Sequence, residues 1–196
     1  MIVWINGAFG SGKTQASREL HRRLPHSYVF DPENAGYYIR KNMPPVPAKD
    51  DFQDYPMWRE INYAMLKHIR GEFDGTIIVP MTIVNPDYFD EIVGRLRRDG
   101  ITVKHFALCA SRDVLLTRLR SRFDGMKSWP AQQIDRCIKG LADEVFREHL
   151  DTDRMSKDEV VERIAELAGL QLIADRRGAV RKALGRAATQ IRHVRR

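Results

Sequence analysis

Near the start of the chain, Gly7-Ala8-Phe9-Gly10-Ser11-Gly12-Lys13-Thr14 puts glycines, a lysine and a hydroxyl at the spacing G-x-x-x-x-G-K-[ST]. Glycines let the backbone turn tightly and aim successive N–H groups at one anion. A helix starting there adds the positive end of its dipole. Lys13 could reach the β- and γ-phosphates of a nucleotide, and the Thr14 hydroxyl could bind Mg2+. The expected ligands are therefore ATP and Mg2+. Residues 7–13 would hold phosphates and Thr14 the metal. The bland alternative is a chance match in a glycine-rich turn. Context opposes it: the apolar run Ile2–Asn6 precedes the motif, and a helical stripe of Ala16, Leu20 and Leu24 follows it.

Nucleotide binding does not define a reaction. Asp31 ends a second apolar run, Ser27–Phe30, and could take the proton of an acceptor hydroxyl. It could equally cap a helix, because Asp31-Pro32-Glu33 is a good helix start. Arg118 and Arg122 are four apart on one helix face and lead into a basic loop. They could neutralise charge on transferring phosphate, or be a solvated face. Asp151-Thr152-Asp153 could contact a base or simply lead into the last helix. The third strand ends in Pro80-Met81-Thr82 without an acid, which argues against a motor ATPase and leaves the second Mg2+ contact unassigned. The acceptor side is expected at Asp31, Phe52, Trp58, Arg59, Pro80, Met81, Thr82 and Arg136. Trp58, Ile61, Met65 and Ile69 form an apolar stripe there, a pattern that also serves as core.

These residues need a scaffold that alternates strand and helix. Runs at Ile2–Asn6, Ser27–Phe30, Thr76–Pro80, Thr102–Leu108 and Glu148–Leu150 read as strands, the third as central. Asn85-Pro86 starts a helix that Gly100 stops. Ile134, Ile138, Leu141 and Val145 line another. Ser156 and Glu159 form a capping box before Val160, Val161, Ile164 and Leu167. The alternation predicts an α/β fold with a mostly parallel, helix-covered sheet. Residues 43–56 read as a long loop, and 120–132 as a lid.

The chain has 196 residues and a formal charge of +7. Residues 1–174 carry 25 basic and 25 acidic residues, so the excess lies in 175–196, with eight basic residues and one acid. Val180, Leu184, Ala187, Ile191 and Val194 fall on one side of a helical wheel, and Arg181, Lys182, Arg186, Arg192 and Arg196 on the other. The chain thus divides into a body, 1–174, and a basic amphipathic end suited to an anionic membrane surface. A docked helix, a basic tail or a nucleic-acid contact would carry the same charge. No other nucleic-acid motif accompanies it. The most apolar stretch, Thr76–Val84, is too short to span a bilayer. No signal peptide is evident, and Cys109 and Cys137 lack metal spacing. A reducing cytosol, with peripheral membrane attachment, is the expected location.

The sequence resembles the tunicamycin resistance protein family. The similarity lies in Trp4–Gln15, in Ser27-Tyr28-Val29-Phe30-Asp31-Pro32-Glu33, and in Lys49–Gln53 with Tyr55-Pro56. It continues in Ile78–Val84 and Gln133-Ile134-Asp135-Arg136-Cys137. The resemblance implies an ATP-binding protein that protects a cell from tunicamycin, a uridine-containing drug with a fatty acyl tail. It also implies membrane association through the C-terminal segment. More distantly the plan resembles the small P-loop kinases: shikimate kinase, gluconate kinase and chloramphenicol phosphotransferase. That likeness implies a five-stranded parallel sheet and an acceptor-handling acid at Asp31. It also implies lid arginines at 118–122 and an adenine-side loop at Asp151 and Thr152. The expected activity is phosphorylation of a hydroxyl on tunicamycin or a related uridine compound, with drug sequestration without transfer as the alternative.

Overall fold

The computed structural model describes residues 1–44, 49–120, 128–178, 181, 182, 184, 185 and 187. Five strands form one sheet: β1 (Ile2–Gly7), β2 (Ser27–Val29), β3 (Thr76–Pro80), β4 (Val103–Cys109) and β5 (His149–Asp151). Their order is β2-β3-β1-β4-β5, all parallel. The central strand is β1, not β3 as its apolarity predicted. All of β1 and all of β3 but Thr76 are buried, so apolarity alone could not rank them.

Helices cover both faces. They are α1 (Lys13–Arg23), α2 (Glu33–Asn42), α3 (Pro56–Glu72), α4 (Pro86–Phe89), α5 (Arg95–Arg98), α6 (Arg112–Arg120), α7 (Trp129–Gln132), α8 (Ile134–Leu141) and α9 (Lys157–Ala168). Alternation along β1 divides the core. Ile2 and Trp4 pack with α2, α3, α4 and α5, while Val3 and Ile5 pack with α1 and α9. A π turn, Asp90–Gly94, joins α4 to α5 within the single helix expected there. Asn85 caps it, accepting from the N–H groups of Asp87 and Tyr88. The Ser156–Glu159 capping box forms as expected. The long loop at 43–56 contains a short 3-10 turn, Phe52–Asp54.

Two apolar stripes face differently from expectation. In α3 the buried face is Trp58, Asn62, Tyr63 and Leu66, and Met65 is exposed. In α8 Cys137 replaces Ile138 on the buried face. Each time a polar or small residue takes the inward position and a larger apolar one is left outside.

The expected division at 174/175 is bridged by contacts. Beyond α9, Leu170 and Leu172 pack on the α1–α9 face. The Ile173 N–H donates to Arg23 O at 2.8 Å. Asp175, its side chain 6% exposed, pairs with Arg22 at 2.7 Å and Arg177 at 3.0 Å. Arg177 also reaches Glu19 of α1 at 2.5 Å, and Lys182 reaches Asp158 of α9 at 3.1 Å. Most of the expected amphipathic helix lies outside the described residues. Among the described residues, no helix is long and apolar enough to cross a membrane.

Candidate active site

The phosphate loop leaves β1 at Gly7 and enters α1 at Lys13. Gly12, with φ +99°, is the N-cap of α1 and has no side chain to cap the helix. The positive end of the helix dipole thus lies at the loop. Gly10 has φ +86°, and a Cβ on it would lie 2.9 Å from the Leu115 carbonyl oxygen, so only glycine fits. The Ser11 hydroxyl is buried in the loop and has no hydrogen-bond partner among the described residues. A buried unpartnered hydroxyl is costly, and an anionic ligand would satisfy it. The loop therefore fits a nucleotide phosphate. Lys13 Nζ donates to Gly7 O at 2.8 Å and Ala8 O at 3.0 Å, lying over the loop it would serve.

Two hollows open on either side of this loop and share Gly10 and Gly12. The first, about 390 Å³, is lined by Lys13, Thr14, Asp31, Tyr37 and Phe52 among others. Phe9 and Trp129 close its rim edge to face, 5.2 Å apart. The second, about 300 Å³, is lined by Gln15, Arg118, Thr152, Met155 and Lys157. The pair fits a two-substrate site: phosphates at the shared glycines, a base in the second hollow, an acceptor in the first.

Asp31 combines both sequence readings. One carboxylate oxygen accepts from the Glu33 N–H at 3.1 Å, starting α2, and the residue also lines the first hollow. Behind it, Trp58 Nε1 donates to Pro32 O at 3.0 Å. Pro80, Met81 and Thr82 line the same hollow. Thr82 stands where a motor ATPase carries an acid, and its hydroxyl donates to Gly7 O at 2.7 Å.

Other expected residues lie elsewhere. Trp58 is fully buried in the core behind the first hollow. Arg59 is buried too: it pairs with Glu91 at 2.6 Å, donates to Gln53 O at 2.5 Å and lies over Tyr88. Both support the acceptor wall rather than lining it. Arg136 does not line the hollow but pairs at 2.9 Å with Asp51, which does. Arg118 stands in the second hollow, where its guanidinium holds Thr152 O at 2.7 Å and Oγ1 at 3.2 Å. Asp151 faces solvent and does not line that hollow; its carboxylate accepts from the Asp153 N–H. Arg122 and most of the lid lie outside the described residues.

Sequence reading missed Arg18, Glu33 and Arg40 in the first hollow, and Gln15, Met155, Ser156 and Lys157 in the second. Helical spacing was a signal: Glu33, Tyr37 and Arg40 share one face of α2, as Thr14 and Arg18 do on α1. Tyr37 donates to Glu33 at 2.9 Å, and burial beside that carboxylate pushes its phenol well above the ordinary value. No metal-holding cluster of His, Cys, Asp or Glu exists among the described residues.

Comparison with known proteins gives this geometry a family. The family described as an AAA domain matches residues 2–144. No curated protein matches the sequence. Among solved structures, the Deinococcus radiodurans tunicamycin resistance protein is 36% identical, with a TM-score of 0.76 and coverage of 89% of this chain and 98% of that one. A Sinorhizobium meliloti 1021 gluconokinase (21% identity, TM-score 0.59, coverage 85% and 93%) shares the fold. So does a Bacteroides thetaiotaomicron shikimate kinase (20% identity, TM-score 0.55, coverage 87% and 99%). The fold is that of a kinase-like P-loop nucleotide-binding protein, and the chain belongs to the AAA-domain family and to the family of the tunicamycin resistance protein.

Proposed function

We propose that the chain is an ATP-dependent phosphotransferase that phosphorylates a hydroxyl of tunicamycin or a related uridine compound. The observation that carries this reading is the pair of hollows meeting at Gly10 and Gly12, with Asp31 in the acceptor hollow. ATP phosphates lie along residues 7–13, with the base beside Arg118 and Thr152. Mg2+, held by Thr14 and the phosphates, would neutralise developing charge. Asp31 accepts the acceptor's hydroxyl proton as its oxygen bonds to the γ-phosphorus. The bond from that phosphorus to the bridging oxygen breaks, and ADP leaves with the electron pair. Lys13 turns from the loop carbonyls to the phosphates. Phe52, Tyr37, Met81 and Thr82 hold the acceptor, and Asp51, paired to Arg136, fixes the loop carrying Phe52. Arg177 and Lys182 are committed to the body, so the other six basic residues of 175–196 would carry any peripheral contact with an anionic membrane.

The test is mass spectrometry of tunicamycin incubated with protein, ATP and Mg2+. A gain of one phosphoryl group, about 80 daltons, lost with Asp31→Asn, is expected from the base assignment; an unchanged drug mass contradicts transfer. One observation favours a second reading, binding without transfer: the third strand presents Thr82, bonded to Gly7 O, in place of an acid. That reading predicts protection at one drug per protein and no turnover.

A further inference from the structure

Asn6 is fully buried and precedes the phosphate loop. Its Oδ1 accepts from the N–H groups of Gly7 at 2.8 Å and Ile83 at 3.0 Å. Its Nδ2 donates to Ile83 O at 2.8 Å and faces His105 Nε2 at 3.2 Å. Since Ile83 offers one donor and one acceptor, the amide has only one orientation. Its nitrogen must therefore point at His105, whose Nε2 must accept. The proton of the neutral ring then sits on Nδ1, which faces Arg147 O at 3.3 Å. His105 is 3% exposed, between Phe89 and Phe146.

We propose that Asn6 and His105 are a positioning pair. Together they set the entry of the phosphate loop, hold the third-strand end that carries Thr82, and tie both to the segment leading into β5 and Thr152. Asn6 lies on β1 and His105 on β4, the Asn6 partner Ile83 lies just past the end of β3, and the far end, Arg147, lies two residues before β5. Thus one chain of hydrogen bonds links the phosphate loop to the segment before β5, the strand that Thr152 of the base-side hollow follows. A purely apolar residue at 105 would leave one proton of the buried Asn6 amide without an acceptor and weaken the anchor at the loop entry. The proposal rests on the nucleotide-binding part of the function above and not on phosphoryl transfer.

The test uses the full-length protein and two independent readouts. Long-range proton–nitrogen NMR on the His105 ring is expected to show the hydrogen on Nδ1 and a bare Nε2 at neutral pH. A fluorescent ATP analogue is then titrated into wild type, His105→Leu and His105→Gln, below each variant's unfolding temperature. His105→Leu should bind nucleotide about tenfold more weakly. His105→Gln, whose amide oxygen can face Asn6, should stay within about twofold of wild type. A proton on Nε2, unchanged affinity in His105→Leu, or a His105→Gln loss equal to that of leucine would each overturn the proposal. If His105→Leu does not fold, the tautomer and His105→Gln still decide. Wild type that binds no nucleotide would defeat the functional reading, leaving the tautomer to judge the pair.

Discussion

Replacing Gly10 by alanine tests the phosphate loop at its tightest point. At φ +86° an L side chain costs about 1–2 kcal/mol. The new Cβ would also lie 2.9 Å from Leu115 O and 3.3 Å from Leu119 Cγ. The first is helix backbone and cannot rotate away, so α6 must shift, at about 1–3 kcal/mol. The total is about 2–5 kcal/mol, and for a chain of this size about 2–4 °C in Tm per kcal/mol gives a fall of roughly 4–20 °C. Gly12→Ala separates the two contributions. Its φ is +99°, but no described residue lies within 4 Å of the new Cβ, so only the strain of about 1–2 kcal/mol applies. Its methyl would instead enter the space shared by the two hollows and weaken nucleotide binding. Gly71→Ala, in the last turn of α3 with open space around it, should gain up to about 1 kcal/mol. Thermal unfolding by circular dichroism should rank Gly10→Ala below Gly12→Ala, below wild type, with Gly71→Ala at or above wild type. A Gly10→Ala protein that melts with wild type and binds ATP equally well would refute the packing described for the loop.

Further outcomes follow from burial and charge. Trp58→Ala should cost about 3–5 kcal/mol because the ring is fully buried. Phe52→Ala should mainly raise the acceptor KM, since Phe52 lines the hollow; steady-state kinetics with unfolding curves separate the two. Burial holds His105 down to about 4, with Arg97 and His149 adding repulsion. Between that value and about 6.5 the unfolded chain binds a proton that the folded one does not, so stability rises with pH and levels off above it. The change should reach about 3 kcal/mol in denaturant titrations and vanish in His105→Gln. Hydrogen bonding to Arg177 holds Asp175 well below the usual carboxylate range. Its contribution is full above about pH 4 and lost as pH falls below that. The Tm difference between wild type and Asp175→Asn should shrink there.

The sequence displayed what depends on local chemistry. The glycine spacing, the Asn85 cap and the Ser156–Glu159 box are each settled within a few residues, and all formed where expected. Alternating strand and helix sufficed for a parallel sheet. Distance in sequence hid the rest. Trp58 and Arg59 have the residue types of a binding wall, yet partners at Pro32 and Glu91 make them its support. Asn6 reads as one more motif residue until Ile83 and His105 surround it. The sequence left open whether the basic end docks on the body, because Glu19, the partner of Arg177, is 158 residues away.

The central claim is that one site brings the γ-phosphate of ATP to an acceptor hydroxyl beside Asp31. The most direct measurement follows label from γ-labelled ATP into tunicamycin, with ATP affinity measured on the same samples. Wild type should transfer many labels per protein, and Asp31→Asn should bind ATP normally but transfer almost none. Full ATP binding by wild type with no label in the drug, or undiminished transfer by Asp31→Asn, would contradict the account.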